Sequence, residues 1–375
     1  MRLPQLPTFL TRCQAQSVHR NTIHSQAFFS SQKPPASDLD LCTSKVRPGD
    51  KVYVGMSGGV DSSVTAHILK NRGLNVEAIF MRNWDTRDER GECPSELDYR
   101  DVKAVCQQLD IKCHEINLVK EYWNTVFSFT LDEYARGRTP NPDILCNREI
   151  KFGVLLKAIT RRLGPFQWFA TGHYARTIST GDSTMLYRGL DRRKDQSYYL
   201  AAVDSKYFSR TVFPLGLLDK KRDVRKLALS AGLVTAEKEE SMGICFVGER
   251  RRFDSFLAEY LPQRSGDILS DGGKLLGKHN GMFTKTIGQS AGISGWQDKW
   301  YIYAKDMTSN RMYAVQNRNN PLLHSTMIST GPVHWISGMP PVMDAPQFDL
   351  GLGNSAWRLA STWYSIQATY AWDRR

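Results

Sequence analysis

The chain has 375 residues, 50 of them lysine or arginine against 38 acidic, with a net charge of +12. That length holds core for two or three domains, and no stretch approaches the roughly 20 apolar residues that cross a bilayer, so no membrane partner is expected. Seven scattered cysteines exclude a secreted disulfide scaffold, and none has zinc-ligand spacing, so no metal site is expected.

Residues 1–40 read as a separate tail. Arg2, Arg12, Arg20 and Lys33 stand among serines, threonines and glutamines, and the first acid is Asp38. Arg-rich, hydroxyl-rich and acid-free composition is that of a mitochondrial transit peptide, which predicts a location in the mitochondrial matrix. The positive excess elsewhere suits a polyanion such as RNA.

From residue 46 onward, apolar runs alternate with helical patterns. Strands are expected over 52–54, 75–81, 111–116 and 168–171, with helices over 61–72, 95–109, 122–134 and 150–163. Strands spaced by helices imply βαβ units and a mostly parallel sheet covered on both faces. Ligands bind such sheets beyond the carboxyl ends of the strands. The loop at 55–62, Met81 and the turn Gly172-His173 all fall at that edge. After about Pro262, glycine pairs and short apolar runs such as Trp300-Tyr301-Ile302 predict small β-rich domains.

The run Gly55-Met56-Ser57-Gly58-Gly59-Val60-Asp61-Ser62 lies between the first strand and the first helix. Its glycines allow close approach of backbone to a ligand, and its amides and the helix N-terminus favour an anion, most simply a phosphate chain. No Gly-Lys-Ser/Thr follows, and the spacing is not Gly-x-Gly-x-x-Gly. A second block, Thr139-Pro140-Asn141-Pro142-Asp143-Ile144-Leu145-Cys146-Asn147, approaches a helix expected to begin near Glu149. Asp143 or Asn147 would cap that helix, with Cys146 just ahead of it, where the dipole favours thiolate. In a third block, Cys245 precedes Arg250-Arg251-Arg252; taken alone it reads as a core thiol. Cys106 and Cys113 read as core thiols too.

These blocks are followed or joined by Gly172-His173-Tyr174-Ala175-Arg176 and Lys194-Asp195-Gln196-Ser197-Tyr198. The first resembles the loop of the PP-loop ATP pyrophosphatases. All five, in order, resemble the tRNA-specific 2-thiouridylase family in its mitochondrial form. The resemblance implies a parallel-sheet, adenine nucleotide hydrolase-like α/β domain over 46–255. A small β-rich tRNA-contacting domain over 256–297 and a C-terminal barrel-like domain over 298–375 would follow, the last divergent or incomplete.

The resemblance further implies ATP, with Mg2+, against Gly55, Met56, Ser57, Gly58, Gly59, Val60, Asp61 and Ser62, with Met81 and Gly172 beside the adenosine. Asp61 would touch the magnesium through water. Catalysis would fall to Cys146, Cys245 and Asp143, with Cys245 carrying persulfide sulfur from a relay donor protein and Cys146 forming a disulfide with it. Mitochondrial tRNA would meet Asn141, Pro142, Asp143, His173, Lys194, Asp195 and Gln196, on a monomer. Ser290 stands where that family carries an arginine. The alternatives are an amide or nitrogen ligase of the same superfamily and an inactive tRNA-binding homologue.

Overall fold

The computed structural model describes residues 45–85, 93–180, 183–239, 253–325 and 334–336. The expected transit tail, the Cys245 block with its arginines and most of the stretch after 325 lie outside the described residues.

The first strand, β1 (Lys51–Met56), feeds helix α1 (Val60–Asn71). Strand β2 (Asn75–Arg82), helix α2 (Pro94–Gln108) and strand β3 (Lys112–Asn117) follow. A helix over 119–135 leads to the Asn-Pro-Asp block. The next helix runs over 142–163 and leads to β4 (Trp168–Thr171). A hairpin, β5 (Ala175–Thr180) with β6 (Ser183–Arg188), precedes the short β7 (Thr211–Val212) and a helix over 220–230.

Strands β1, β2, β3, β4 and β7 form one parallel sheet in the order β3-β2-β1-β4-β7. Alternation along β1 sends Tyr53 to one face and Val52, Val54 and Met56 to the other. The helices over 119–135 and 142–163 cover the Tyr53 face, with Tyr122, Phe127, Ile150 and Phe152 buried there. On the opposite face Ala66 and Leu69 of α1 pack with Val102 and Val105 of α2. This is the doubly covered sheet that the strand–helix alternation predicts.

The chain leaves β1 for β2 on one side and later returns to β4 on the other. The order therefore reverses at β1, and the crevice beyond the ends of β1 and β4 is the ligand position of such sheets.

A second sheet comprises β8 (Gly266–Ser270), β9 (Leu275–His279), β10 (Trp300–Asp306) and β11 (Arg311–Gln316), in the order β10-β11-β8-β9. Strands from both sides of the division expected at 297/298 share this sheet. Ile268, Leu276, Ile302, Met312 and Ala314 bury one face of it together, so neither pair of strands has a core of its own.

Candidate active site

The loop after β1 turns on Gly58, whose φ of +77° favours glycine. A Cβ there would stand 2.6 Å from the Asp98 carbonyl oxygen of α2. Ser57 donates its amide to Ser62 Oγ at 3.2 Å, and the Ser62 and Ser63 hydroxyls donate to the Gly59 carbonyl at 3.0 Å each. Those three serines thus brace the loop from inside. Among the described residues, no oxygen accepts from the Gly58 or Gly59 amides. Together with the first amides of α1, whose Gly59 cap offers no side chain, they form a set of unmatched donors facing an anion position.

Gly172, just past β4, closes against this helix start. A Cβ there would lie 2.9 Å from the Ser62 amide nitrogen and 3.0 Å from the Asp61 carbonyl carbon. Gly55, at the end of β1, is packed against Phe169. Met56 and Val60 are buried, and Met81 is half-buried near the end of β2. The predicted nucleotide residues are therefore brought to one edge.

Two groups that sequence reasoning missed complete this edge. Lys220, 3% exposed, donates from Nζ to Asp61 Oδ1 at 2.5 Å, and the Tyr174 hydroxyl donates to the same oxygen at 2.8 Å. Lys220 is placed by the Asp219 cap of its helix and by Asp191, whose Oδ2 accepts its backbone amide at 3.2 Å. The signal was present in sequence only as a lysine in a charged stretch, with nothing to mark it as buried.

The Asn-Pro-Asp block differs from expectation. The helix starts at Pro142, not near Glu149, and its cap is Asn141, whose side chain accepts from the Asp143 and Ile144 amides. Proline suits the first helical position because its missing N–H has no partner there in any case. Cys146 is consequently the fifth residue of the helix instead of preceding it, and is 2% exposed. Wide π-type turns over Cys146–Val154 carry the helix onward. Asn147 is not a cap; it donates to the Tyr199 carbonyl at 3.0 Å and ties this helix to the segment after Lys194-Asp195-Gln196.

Burial raises the Asp143 carboxyl above its usual range, with Lys151 pulling the other way. His173 is driven well below the usual imidazole range by burial and by the same Lys151, so it is neutral at pH 7. Lys151 thus acts on both groups. His173 Nδ1 pairs with Thr171 Oγ1 at 2.7 Å and its ring stands edge-on to Phe213, so it is enclosed and not an open surface grip. Gln196 and Tyr174 exchange hydrogen bonds, through the Tyr174 amide to Gln196 Oε1 and the Gln196 amide to the Tyr174 carbonyl. Asp195 turns its oxygens to its own segment, accepting from the Gly189 and Ser197 amides and the Ser197 hydroxyl. Lys194 is half-buried.

The second sheet reaches the same block. Lys305 Nζ donates to the Gly137 and Met282 carbonyls, and Thr139 Oγ1 pairs with Thr286 Oγ1 at 3.1 Å. Among the described residues, no cluster of histidine, cysteine or acidic side chains could cage a metal ion. Asp61 Oδ2, on a side chain one third exposed, is the carboxylate oxygen left for a water-mediated contact.

Unmatched loop amides at the reversal point of a doubly covered parallel sheet define a PP-loop α/β protein. Residues 50–249 match the sequence family described as tRNA methyl transferase HUP domain, and residues 254–316 match the tRNA methyl transferase PRC-barrel domain. The chain is 47% identical over 294 residues to the tRNA-specific 2-thiouridylase MnmA of Legionella pneumophila strain Lens, which spans 76% of this chain and 80% of that relative. It is 48% identical over 292 residues to the protein of the same name from Bacillus pumilus strain SAFR-032, covering 77% of each. The chain belongs to the tRNA-specific 2-thiouridylase family.

Proposed function

We propose that this protein is a tRNA-uridine 2-sulfurtransferase that uses ATP to convert the wobble uridine of mitochondrial tRNAs to 2-thiouridine. The observation that carries the nucleotide half is the set of unmatched amides at Gly58, Gly59 and the start of α1, closed from the side by Gly172. A triphosphate supplies the oxygens those donors lack. Magnesium would arrive with the triphosphate and be held through water at Asp61, whose side chain is one third exposed.

The uridine O2 attacks the α-phosphate and pyrophosphate leaves. The C2–O bond then has AMP as its leaving group, so a sulfur nucleophile can replace it at neutral pH. Cys245 would carry the persulfide. Its terminal sulfur attacks C2, AMP departs, and Cys146 attacks the Cys245 sulfur, releasing the thiocarbonyl and leaving a Cys146–Cys245 disulfide for a reductant. In the variant route Cys146 attacks first and frees hydrosulfide, which then attacks C2. Asp143 takes or orients the proton of the base, its raised pKa suiting that work. Asn141, Pro142, Lys194 and Gln196 line the approach of an everted nucleotide, as base-modifying enzymes require.

The test is incubation of the protein with ATP, magnesium, a small-molecule persulfide that passes its outer sulfur to Cys245, and unmodified tRNA, followed by nucleoside mass spectrometry. Gain of the oxygen-to-sulfur mass difference at the wobble uridine, lost in Cys146→Ser and Cys245→Ser while pyrophosphate release persists, supports the reading. tRNA binding without any mass gain would leave a binding homologue. Import of the full chain into isolated mitochondria, with cleavage near residue 40, tests the location.

A further inference from the structure

The approach to the Asn-Pro-Asp block is held by a buried ion pair that takes no part in the chemistry. Glu133 lies in the last turn of the helix over 119–135 and is 1% exposed. Arg138, 32% exposed, donates to it from both Nε and Nη2, one to each carboxylate oxygen. The Arg138 amide also donates to the Glu133 carbonyl at 3.0 Å, so the two residues are joined through backbone and side chain alike. Arg136, largely exposed, adds a longer contact to Glu133 Oε1 at 3.4 Å.

A carboxylate at this depth needs its charge matched, and a guanidinium does so in a fixed geometry because its donors lie in one plane. Gly137, between Arg136 and Arg138, turns at a φ of +78° and is gripped from the second sheet by Lys305. Two residues, Thr139 and Pro140, then separate Arg138 from the Asn141 cap. Pro140 has its φ fixed by its ring, and Thr139 is tied to Thr286. The direction in which the chain leaves Arg138 therefore sets where Asn141 and Asp143 stand.

We infer that Glu133 is a positioning residue for the target base: by its two-bond grip on Arg138 it holds Asn141, Pro142 and Asp143 where an everted nucleotide meets them. This role rests on the thiolation reading and deepens it, because it assigns to a residue outside the site the control of RNA binding alone. The nucleotide loop has braces of its own in Ser57, Ser62, Ser63 and Gly172. Loosening Glu133 should therefore disturb the RNA side and spare ATP.

Full-length protein is titrated separately with ATP and with an anticodon stem-loop RNA carrying uridine at the wobble position. Glu133→Gln, which keeps the side chain's size and removes its charge, should weaken RNA binding about tenfold or more and leave ATP binding within about twofold. Arg138→Gln should do the same, and the two together should be no worse than either alone, because both remove one interaction. Arg138→Lys keeps the buried charge matched, so it folds, but it lacks the planar fork; RNA binding should still fall while ATP binding holds. In thiolation the loss should fall on kcat/KM for tRNA, with KM for ATP unchanged. Equal losses of RNA and ATP binding in Arg138→Lys, the mark of a general loosening, would overturn this role. So would wild-type RNA affinity in the variants, additive losses in the double variant, or a wild-type protein that binds no stem-loop. Wild-type RNA binding without any gain of sulfur defeats the thiolation reading instead.

Discussion

Lys220 Nζ and Asp61 Oδ1 meet at 2.5 Å beneath the nucleotide loop, joining residues 159 positions apart in sequence. The lysine is almost wholly enclosed while Asp61 is one third exposed. A positive charge is therefore fixed at the anion site before any anion arrives, and its partner carboxylate keeps it from being a buried charge alone.

Replacing Lys220 with methionine should weaken ATP binding and slow adenylation about tenfold or more, equivalent to ~1.4 kcal/mol of transition-state stabilisation. Stability should change little, because an apolar chain of similar volume replaces a buried ion whose partner can reach water. Asp61→Asn leaves the ammonium uncompensated and should cost about 3–5 kcal/mol. Pyrophosphate release in a single turnover and urea unfolding read the two effects separately; equal losses in both variants would contradict this account.

Gly172→Ala puts a methyl group 2.9 Å from the Ser62 amide nitrogen, against backbone on both sides. The start of α1 must move away from β4. Overpacking of this kind costs about 1–3 kcal/mol, and the loop amides lose their aim. ATP titration should show at least a tenfold weaker complex, and a variant binding ATP normally would show that Gly172 does not shape the site.

The acid limb of the adenylation rate should lie above the ordinary carboxylate range, because burial raises Asp143. Lys151 holds Asp143 down, so Lys151→Met should move that limb to higher pH, and Asp143→Asn should abolish it. A pH–rate profile on single turnovers checks both shifts.

His173 makes stability itself depend on pH, on the acid side. Its folded pKa lies well below the unfolded value of 6.5, so as pH falls through 6.5 the unfolded chain takes a proton that the folded chain refuses. Stability should therefore drop below pH 6.5 and be level above it. Urea midpoints from pH 5 to 7.5 should show that slope in wild type, and a shallower one in His173→Gln.

Lys305 is pushed down from 10.5 to about 8 by burial between the second sheet and Gly137. Between those values the unfolded chain binds the proton and the folded chain does not, so stability should rise with pH from 8 towards 10.5. Lys305→Met should lose that rise. It should also lower thiolation more than ATP binding, since the Gly137 and Met282 carbonyls are left without their donor and the stretch into Asp143 loosens.

Much of this was legible along the chain. The alternation of strands and helices gave the parallel sheet, and the glycine–serine run gave the anion loop, because both depend on local periodicity and on residues that permit one backbone shape. Where local signals competed, the reading slipped. Asn141 and Pro142 together start the helix, so neither Asp143 nor Asn147 caps it, and Cys146 lies inside it.

Sequence by itself determined the covered parallel sheet, the phosphate-binding loop and the family blocks, since each is written in neighbouring residues. Only the tertiary structure decided that Lys220 is buried against Asp61, that His173 is enclosed and neutral, and that Lys305 reaches Gly137. It also decided that Cys106 and Cys146 are buried on opposite faces of the sheet. Charge state and partnership depend on burial and on residues distant in the chain, and no local pattern encodes either.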